Sequence, residues 1–337
     1  MKREQIDKLV ENWRFDDESA KTELIETHIS WLILSDNFAF KIKRPVKYSF
    51  VDFSSLEKRR HYCYQEIRLN SRLAPEMYMS VLPVTAQMLE GGDMDDADRV
   101  IDYMVQMERM DNEKEMDRLL AKKKVRKHEV EKLAVTIAEF HKEARIIKNA
   151  FGTIDFQETF NDILSIKDYA ARELGPGYED IIKKSTGLSD SYLNSRRSYF
   201  NERIIRNYRR ECHGDLNASN IFLYNDPVIF DCIDFNKQLR FIDVLNDIAF
   251  LCVDLDFYGY DKLSEHFYKI YIDAYGAGES DLSRQLFMYY KTYRANVRAK
   301  VTAISAMEEK GSDDSKAEDV KKYLDLMSRY QDDYSSQ

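Results

Sequence analysis

Apolar and polar residues alternate along the first hundred positions and recur every three or four afterwards. Ile29–Leu34 and Phe38–Ile42 are β-rich runs around the turn Ser35-Asp36-Asn37. Val81–Val84 and Val100–Met107 form a second pair, joined by a polar loop that contains Gly91 and Gly92. Between the pairs, Ser54–Leu73 carries apolar residues at helical spacing, with Ser54 or Ser55 as its N-cap. The order strand, strand, helix, strand, strand predicts a small, mainly antiparallel sheet with one helix beside it. From Glu113 the longer period takes over. It predicts helices at Glu113–Leu120, His128–Ala144, Gln157–Glu173, Asp190–Arg209, Val244–Tyr258, Tyr260–Tyr275, Ser280–Glu309 and Ser315–Tyr330, with the residues from Asp332 onward fraying. The fold class is α+β, with a boundary near residue 108 between a small β lobe (1–108) and a large helical lobe (109–337).

One strand signal interrupts the helical half. Ile221-Phe222-Leu223-Tyr224, the turn residues Asn225-Asp226 and Pro227-Val228-Ile229-Phe230 read as a hairpin. Directly before it stands His213-Gly214-Asp215-Leu216-Asn217-Ala218-Ser219-Asn220, and directly after it Asp231. H-x-D-x-x-x-x-N is the spacing of a kinase catalytic loop. Asp215 can accept the proton of a hydroxyl, Asn220 can offer an amide oxygen to Mg²⁺, and Asp231 can bridge that ion to phosphates. His213 packs beneath such a loop and holds its backbone. A hairpin of this length puts Asn220 and Asp231 at the same end, within reach of one hard cation. Asp234 is a second candidate for the metal, with Asp231 ranked first on hairpin length. The octapeptide taken alone also fits a surface hairpin with ordinary turn residues.

Composition narrows the classes. A formal charge of −9 over 337 residues argues against a general nucleic-acid binder. No apolar run reaches 18 residues, and the N-terminus lacks the apolar core of a signal peptide, so a cytoplasmic protein with no membrane partner is expected. Four scattered cysteines, Cys63, Cys212, Cys232 and Cys252, read as reduced core residues. Nothing in the sequence fixes an oligomeric state.

A catalytic loop needs a nucleotide beside it, and ATP needs a cation held by a carboxylate. The strand Phe38-Ala39-Phe40-Lys41-Ile42-Lys43 supplies Lys41 for the phosphates, the following helix supplies Glu66 to orient it, and Lys43 on the same strand face is the substitute. Val105, Gln106 and Met107 lie where an extended connection between lobes would offer backbone groups to adenine. No G-x-G-x-x-G precedes Lys41. The turn through Thr27, His28 and Ser30 would have to donate hydrogen bonds in its place, and no P-loop motif is present.

Further on, Arg240 and Asp243 read as a buried pair bracing the loop, and Asp247 as an anchor on the next helix. Arg294 and Arg298 share a helix face. They form a solvated face or an intramolecular ion pair, or they receive an anionic substrate. His141 reads as a packed residue of an amphipathic helix.

Glu26–Trp31, Phe38–Val46, Leu56–Arg60, His213–Leu216, Phe230–Asn236, Arg240–Val244 and Tyr293–Val301 together resemble a bacterial family of aminoglycoside phosphotransferase-like proteins. The resemblance covers nearly the whole chain and implies a two-lobed, protein-kinase-like fold with ATP and Mg²⁺ as cofactors. It implies Asp215 as base, Asn220 and Asp231 as metal ligands, and Lys41 with Glu66 as the phosphate clamp. Asp234 stands where relatives often carry Glu, and the form implied is the one without a C-terminal P-loop ATP-binding domain. The expected activity is transfer of the γ-phosphate to a hydroxyl of an unidentified metabolite or aminoglycoside-like acceptor. The missing glycine loop keeps two alternatives open, a catalytically weak or inactive nucleotide-binding scaffold and a nucleotidyl transferase.

Overall fold

The computed structural model describes residues 1–13, 22–48, 50–92, 99–149, 152–308 and 314–335. They form two compact units: Met1–Glu115 with Asn220–Leu239, and Met116–Ser219 with Arg240–Gln337.

The first unit is built on α1 (Arg3–Asn12), β1 (Glu23–Glu26), β2 (Ser30–Leu34), β3 (Phe38–Lys43), α2 (Leu56–Asn70), β4 (Tyr78–Thr85) and β5 (Val100–Glu108). Its five strands make one antiparallel sheet in the order β1-β2-β3-β5-β4. Strand periodicity divides the side chains between two faces. Trp31, Ile33, Phe40, Ile42, Val84 and Met104 pack with Ile6 and Leu9 of α1. Leu34, Ala39, Val105, Met107 and Tyr78 pack with Cys63 of α2 and with Phe222. Positions 39, 41 and 43 of β3 share this second face, so Lys41 and Lys43 are carried toward α2. The Ser55 hydroxyl caps α2 by accepting from the Lys58 N–H at 3.3 Å, with Glu57 in the first turn and Arg68 in the last.

The second unit is helical: α3 (Met116–Ala121), α4 (Lys127–Glu143), α5 (Thr153–Asn161), α6 (Lys167–Glu173), α7 (Pro176–Ser195), α8 (Arg197–Ile205), α10 (Val244–Phe257), α11 (Asp261–Tyr275), α12 (Asp281–Glu308) and α13 (Asp314–Ser335). The four residues of α9 (Lys237–Arg240) lead into it. Every residue of α10 from Val244 to Asp256 is buried, which makes it the centre of the unit. Two short ribbons complete the chain. In the second unit β6 (Arg209–Glu211) pairs with β9 (Phe241–Asp243), and in the first β7 (Ile221–Phe222) pairs with β8 (Val228–Ile229).

The elements differ from the sequence reading where tertiary contacts decide. α1, β1 and the β6–β9 ribbon were not expected. Gln157–Glu173 is divided between α5, a 3₁₀ turn at Asp162–Ile166 and α6, and the helix expected at Asp190–Arg209 is divided between α7, which begins at Pro176 and ends at Ser195, and α8. α13 stays helical to Ser335 rather than fraying from Asp332, while Ser336 and Gln337 lie outside the described residues, as does most of the loop that follows Gly91 and Gly92. Gln106 and Met107 lie inside β5, between β3 and β4, opposite Phe40 and Ala39 of β3. Their main chain belongs to the sheet, so the extended connection expected there begins after Glu108. Among the described residues no helix is long and apolar enough to cross a membrane.

The Phe40 ring is buried and meets Trp13 edge-on at 5.8 Å between centroids. Phe40→Ala should cost about 3–5 kcal/mol of folding stability in urea titrations. A loss below about 1 kcal/mol would remove Phe40 from the core.

Candidate active site

In the first unit two lysines and three carboxylates meet. Lys41 Nζ lies 2.9 Å from Glu66 Oε1 and 2.6 Å from Asp231 Oδ1. Lys43 Nζ lies 2.7 Å from Glu66 Oε2 and 2.5 Å from Asp234 Oδ2. Glu66 thus spends one oxygen on each lysine. Burial opposes the charges of Lys41, Lys43, Glu66 and Asp234, but the partners prevail at three of them. Asp231 and Glu66 hold Lys41 well above its usual pKa, Asp234 and Glu66 do the same for Lys43, and the two lysines hold Glu66 low. At Asp234 desolvation wins and its carboxyl is pushed up. The lysines differ in access. The Lys43 side chain is 2% exposed and Lys41 is 19% exposed, while Asp231 on the open side is 46% exposed.

Asp231 follows the β7–β8 ribbon. The Phe230 N–H donates to the Asn220 carbonyl at 3.0 Å, so Asn220 and Asp231 sit at one end of that ribbon. Phe222 and Phe230 stack at 4.9 Å and seat it in the core of the first unit. Asp231 has φ +59°, the left-handed region that Asp tolerates better than most residues. Its N–H donates to the Tyr78 hydroxyl at 3.2 Å, and the Cys232 N–H donates to Asn70 Oδ1 at 2.8 Å. Gln65 Nε2 donates to the Asp234 carbonyl at 3.2 Å. These anchors were not foreseen, because all three come from α2 or β4, far away in sequence. Ser30 is buried opposite Lys43 in the β2–β3 register, and its hydroxyl has no hydrogen-bond partner among the described residues.

The second unit holds the His213–Ser219 loop. Asp247, in the first turn of α10, accepts from the N–H of His213 at 2.9 Å and of Gly214 at 2.8 Å. Gly214 has φ +89°, which a side chain there would strain. Buried His213 accepts from the Asp215 N–H at 3.3 Å through Nδ1, and Asp215 itself is partly exposed. The far end of the loop is fixed by Asp254, which accepts from the Ala218 N–H at 2.8 Å and is gripped by the Arg298 fork, with Nη2 2.9 Å from each oxygen. Asp254 escaped the sequence reading, yet a signal was present: a carboxylate inside an apolar helix is seldom idle. Asp247 is itself tied to His141, whose Nε2 lies 3.0 Å away and whose Nδ1 meets the Tyr271 hydroxyl at 2.8 Å. Burial disfavours the Asp247 charge, but the His141 hydrogen bond and the fields of His213 and Arg294 bring its pKa down to about 2.

Arg240 and Asp243 are both buried but do not pair with each other. Arg240 Nε donates to Glu211 at 3.1 Å, and Arg203 clasps both oxygens of Asp243 at 2.7 Å. Asp243 also caps α10 by accepting from the Leu245 N–H at 2.9 Å. The two residues end different elements, α9 and β9, so proximity in sequence misled.

No protein-family model matches the chain. Its sequence is 28% identical over 284 residues to uncharacterized proteins of Mycobacterium tuberculosis and Mycobacterium bovis, covering 83% of this chain and 54% of theirs. The chain spans about half the length of the curated relatives it matches. Among solved structures it resembles the choline kinase of Cryptosporidium parvum, with a TM-score of 0.55 and 12% identity, covering 98% of this chain and 94% of that one. A choline/ethanolamine kinase family protein from Mesorhizobium loti gives 0.53 and 14%, covering 95% and 94%. A variant of aminoglycoside 2'-phosphotransferase IIIa, in complex with GDP, gives 0.50 and 14%, covering 93% and 92%. The fold is that of the kinase-like phosphotransferases. Identities this low establish the kinase-like fold and not a substrate.

The depressed pKa of Asp247 has a pH signature. Its carboxylate stabilises the kinase-like fold above the ordinary value of 3.8, and that contribution is lost as pH falls toward about 2. Urea midpoints measured downward from about pH 5 should fall in that window, and Asp247→Asn, destabilised at neutral pH, should show a shallower fall. Parallel pH profiles for the two proteins would contradict the depressed value.

Proposed function

We propose that this chain is an ATP-dependent phosphotransferase that moves the γ-phosphate onto a hydroxyl of a small molecule. One observation carries the reading: a strand lysine, Lys41, is joined both to a helix glutamate, Glu66, and to the carboxylate that follows the β7–β8 ribbon, Asp231. Kinase-type phosphate clamps are made from those three parts. Support for nucleotide use comes from relatives of the same fold. The aminoglycoside enzyme was solved with GDP, and an amicoumacin kinase with a TM-score of 0.50 was solved with AMP-PNP and Ca²⁺.

Each residue then has a task. Lys41 exchanges Asp231 for phosphate oxygens while Glu66 keeps its ammonium aimed. Lys43 neutralises the second Glu66 oxygen and Asp234 and stays in place. Asp231 and Asn220 fit Mg²⁺, because their donors are hard oxygens at one ribbon end and Asp231 is open to solvent. When bound, Mg²⁺ would offset charge on the β- and γ-phosphates. Asp231 precedes Asp234 for this role, since Asp234 is buried and committed to Lys43. Asp215 takes the proton of the acceptor hydroxyl, and the hydrogen bonds from His213 and Gly214 to Asp247 hold its loop in place. As that proton moves to Asp215, the hydroxyl oxygen bonds to the γ-phosphorus and ADP leaves. Ser30 offers the nucleotide a hydroxyl in place of a glycine cradle. In this reading the first unit, which includes Asn220–Leu239, serves the nucleotide, and the second unit, which carries Asp215, serves the acceptor. Buried free cysteines suit a reducing compartment, and a cytoplasmic location is part of this reading.

ADP release should be detected with ATP, Mg²⁺ and a panel of hydroxylated metabolites, and EDTA should abolish it. Asp215→Asn should reduce turnover by about 10²–10⁴-fold while nucleotide still raises the melting temperature. Asp231→Asn should lose Mg²⁺-dependent turnover. Full activity in Asp215→Asn would eliminate the base, and thermal stabilisation by nucleotide without any product would favour the scaffold reading. AMP rather than phosphate found on a product by intact mass would turn the reading to nucleotidyl transfer.

A further inference from the structure

Helices α4, α10 and α11 of the second unit meet in one buried chain of hydrogen bonds. It links the Tyr271 hydroxyl on α11 to Nδ1 of His141 on α4 at 2.8 Å, and His141 Nε2 to Asp247 Oδ2 on α10 at 3.0 Å. The same Oδ2 accepts from the His213 N–H at 2.9 Å, and Oδ1 accepts from the Gly214 N–H at 2.8 Å. Tyr271, His141 and Asp247 are each 0% exposed.

Helical periodicity makes His141 a packed residue, but its two nitrogens are both in use. Asp247 is ionised at ordinary pH, so the nitrogen facing it must donate, and Nε2 carries a proton. Burial pushes the Tyr271 hydroxyl well above the usual phenol range, so it keeps its proton and can donate to Nδ1. A bond at each nitrogen fixes the tautomer and the plane of the ring. Cys212 brings its sulfur within 4.8 Å of the same groups, a set that would suit a metal by composition. The hydrogen bonds oppose that use, because Nε2 is spent on the carboxylate and the carboxylate on two backbone N–H groups.

The consequence falls on the loop. Asp247 takes the N–H groups of the two residues directly before Asp215, one on each oxygen. That fork works while the carboxylate stays charged and does not rotate. Burial works against the charge, and the hydrogen bond from His141 is the strongest of the effects that oppose burial. Without that bond the carboxyl moves toward its neutral form, one oxygen becomes a hydroxyl, and a buried N–H loses its acceptor. We infer that His141 is a positioning residue, held by Tyr271 in the Nε2–H form, that keeps the Asp247 fork and through it the Gly214–Asp215 backbone in the geometry phosphoryl transfer requires. This rests on the reading of Asp215 as the base.

Two measurements on the full chain test this without a known acceptor. With histidines isotopically labelled in their ring nitrogens, the NMR signal that disappears in His141→Gln belongs to His141, and it should show a protonated Nε2 at neutral pH. Amide exchange of residues 213–215, followed by mass spectrometry, should quicken by about 10-fold or more in His141→Leu while α12 keeps its wild-type protection. A glutamine amide nitrogen can take the place of Nε2 and donate to Asp247, so His141→Gln should return to within about 3-fold of wild type. Tyr271→Phe, which loses one hydrogen bond, should quicken the same amides by about 2–10-fold. ADP release from ATP and Mg²⁺, with water as the acceptor, should follow the same order: kcat falls by about 10–100-fold in His141→Leu and KM for ATP barely moves. An unprotonated Nε2, unchanged loop exchange in His141→Leu, equal effects of Leu and Gln, or a change confined to KM would overturn the proposal. If the wild-type chain releases no ADP, the phosphotransfer reading is the one in difficulty, and the NMR and exchange results still decide whether His141 holds the loop. Should His141→Leu fail to fold, the wild-type spectrum and Tyr271→Phe decide, and unchanged exchange in Tyr271→Phe then counts against the proposal.

Discussion

Glu66 is a negative charge in a place where water does not reach, and much of the first unit is arranged to make that tolerable. Two lysines on one strand face meet its two oxygens, and each lysine requires a second carboxylate from the segment after β8. A single buried residue therefore ties a strand, a helix and a segment more than 160 positions away into one electrostatic object. Hydrophobic packing brings these elements together, since Phe222 belongs to the same core as Cys63 and Val105. The charges then fix their register, because a slip of one residue on β3 would turn both lysines to the α1 face.

The second unit solves a related problem with α10. A helix buried at every residue from Val244 to Asp256 would ordinarily be apolar on every side, but this one carries Asp247, Asp254 and Asp256. Asp247 and Asp254 take the two ends of the 213–219 loop, and Asp256 meets Lys291 at 2.6 Å. The loop is held by its backbone, so the identities of its side chains are left open for chemistry.

Much of this could be read from the sequence. The β2, β3, β4 and β5 runs were visible because their aromatic and β-branched residues alternate. Lys41 and Glu66 could be proposed as partners because a strand followed directly by a helix brings the two near each other. What escaped depends on contacts that only folding creates. α1 has few apolar residues and owes its place to Ile6 and Leu9 packing on Trp31 and Ile33. Arg209-Arg210-Glu211 reads as a polar stretch and becomes a strand only because Phe241–Asp243 lies beside it. The early start of α7 was signalled by Gly175-Pro176, with proline at the first helical position, but the Ser- and Gly-containing run after it obscured the period. Arg294 and Arg298 looked equivalent on a helix face, and only their surroundings tell them apart.

The positive φ of Asp231 constrains which residues evolution or an engineer can place there. Only Gly, Asn and Asp enter that backbone region cheaply, and of these only Asp brings a formal charge. A longer carboxylate would carry the charge but would meet the steric penalty that short side chains partly escape. Backbone geometry and the need for a negative charge beside Lys41 together narrow this position to aspartate.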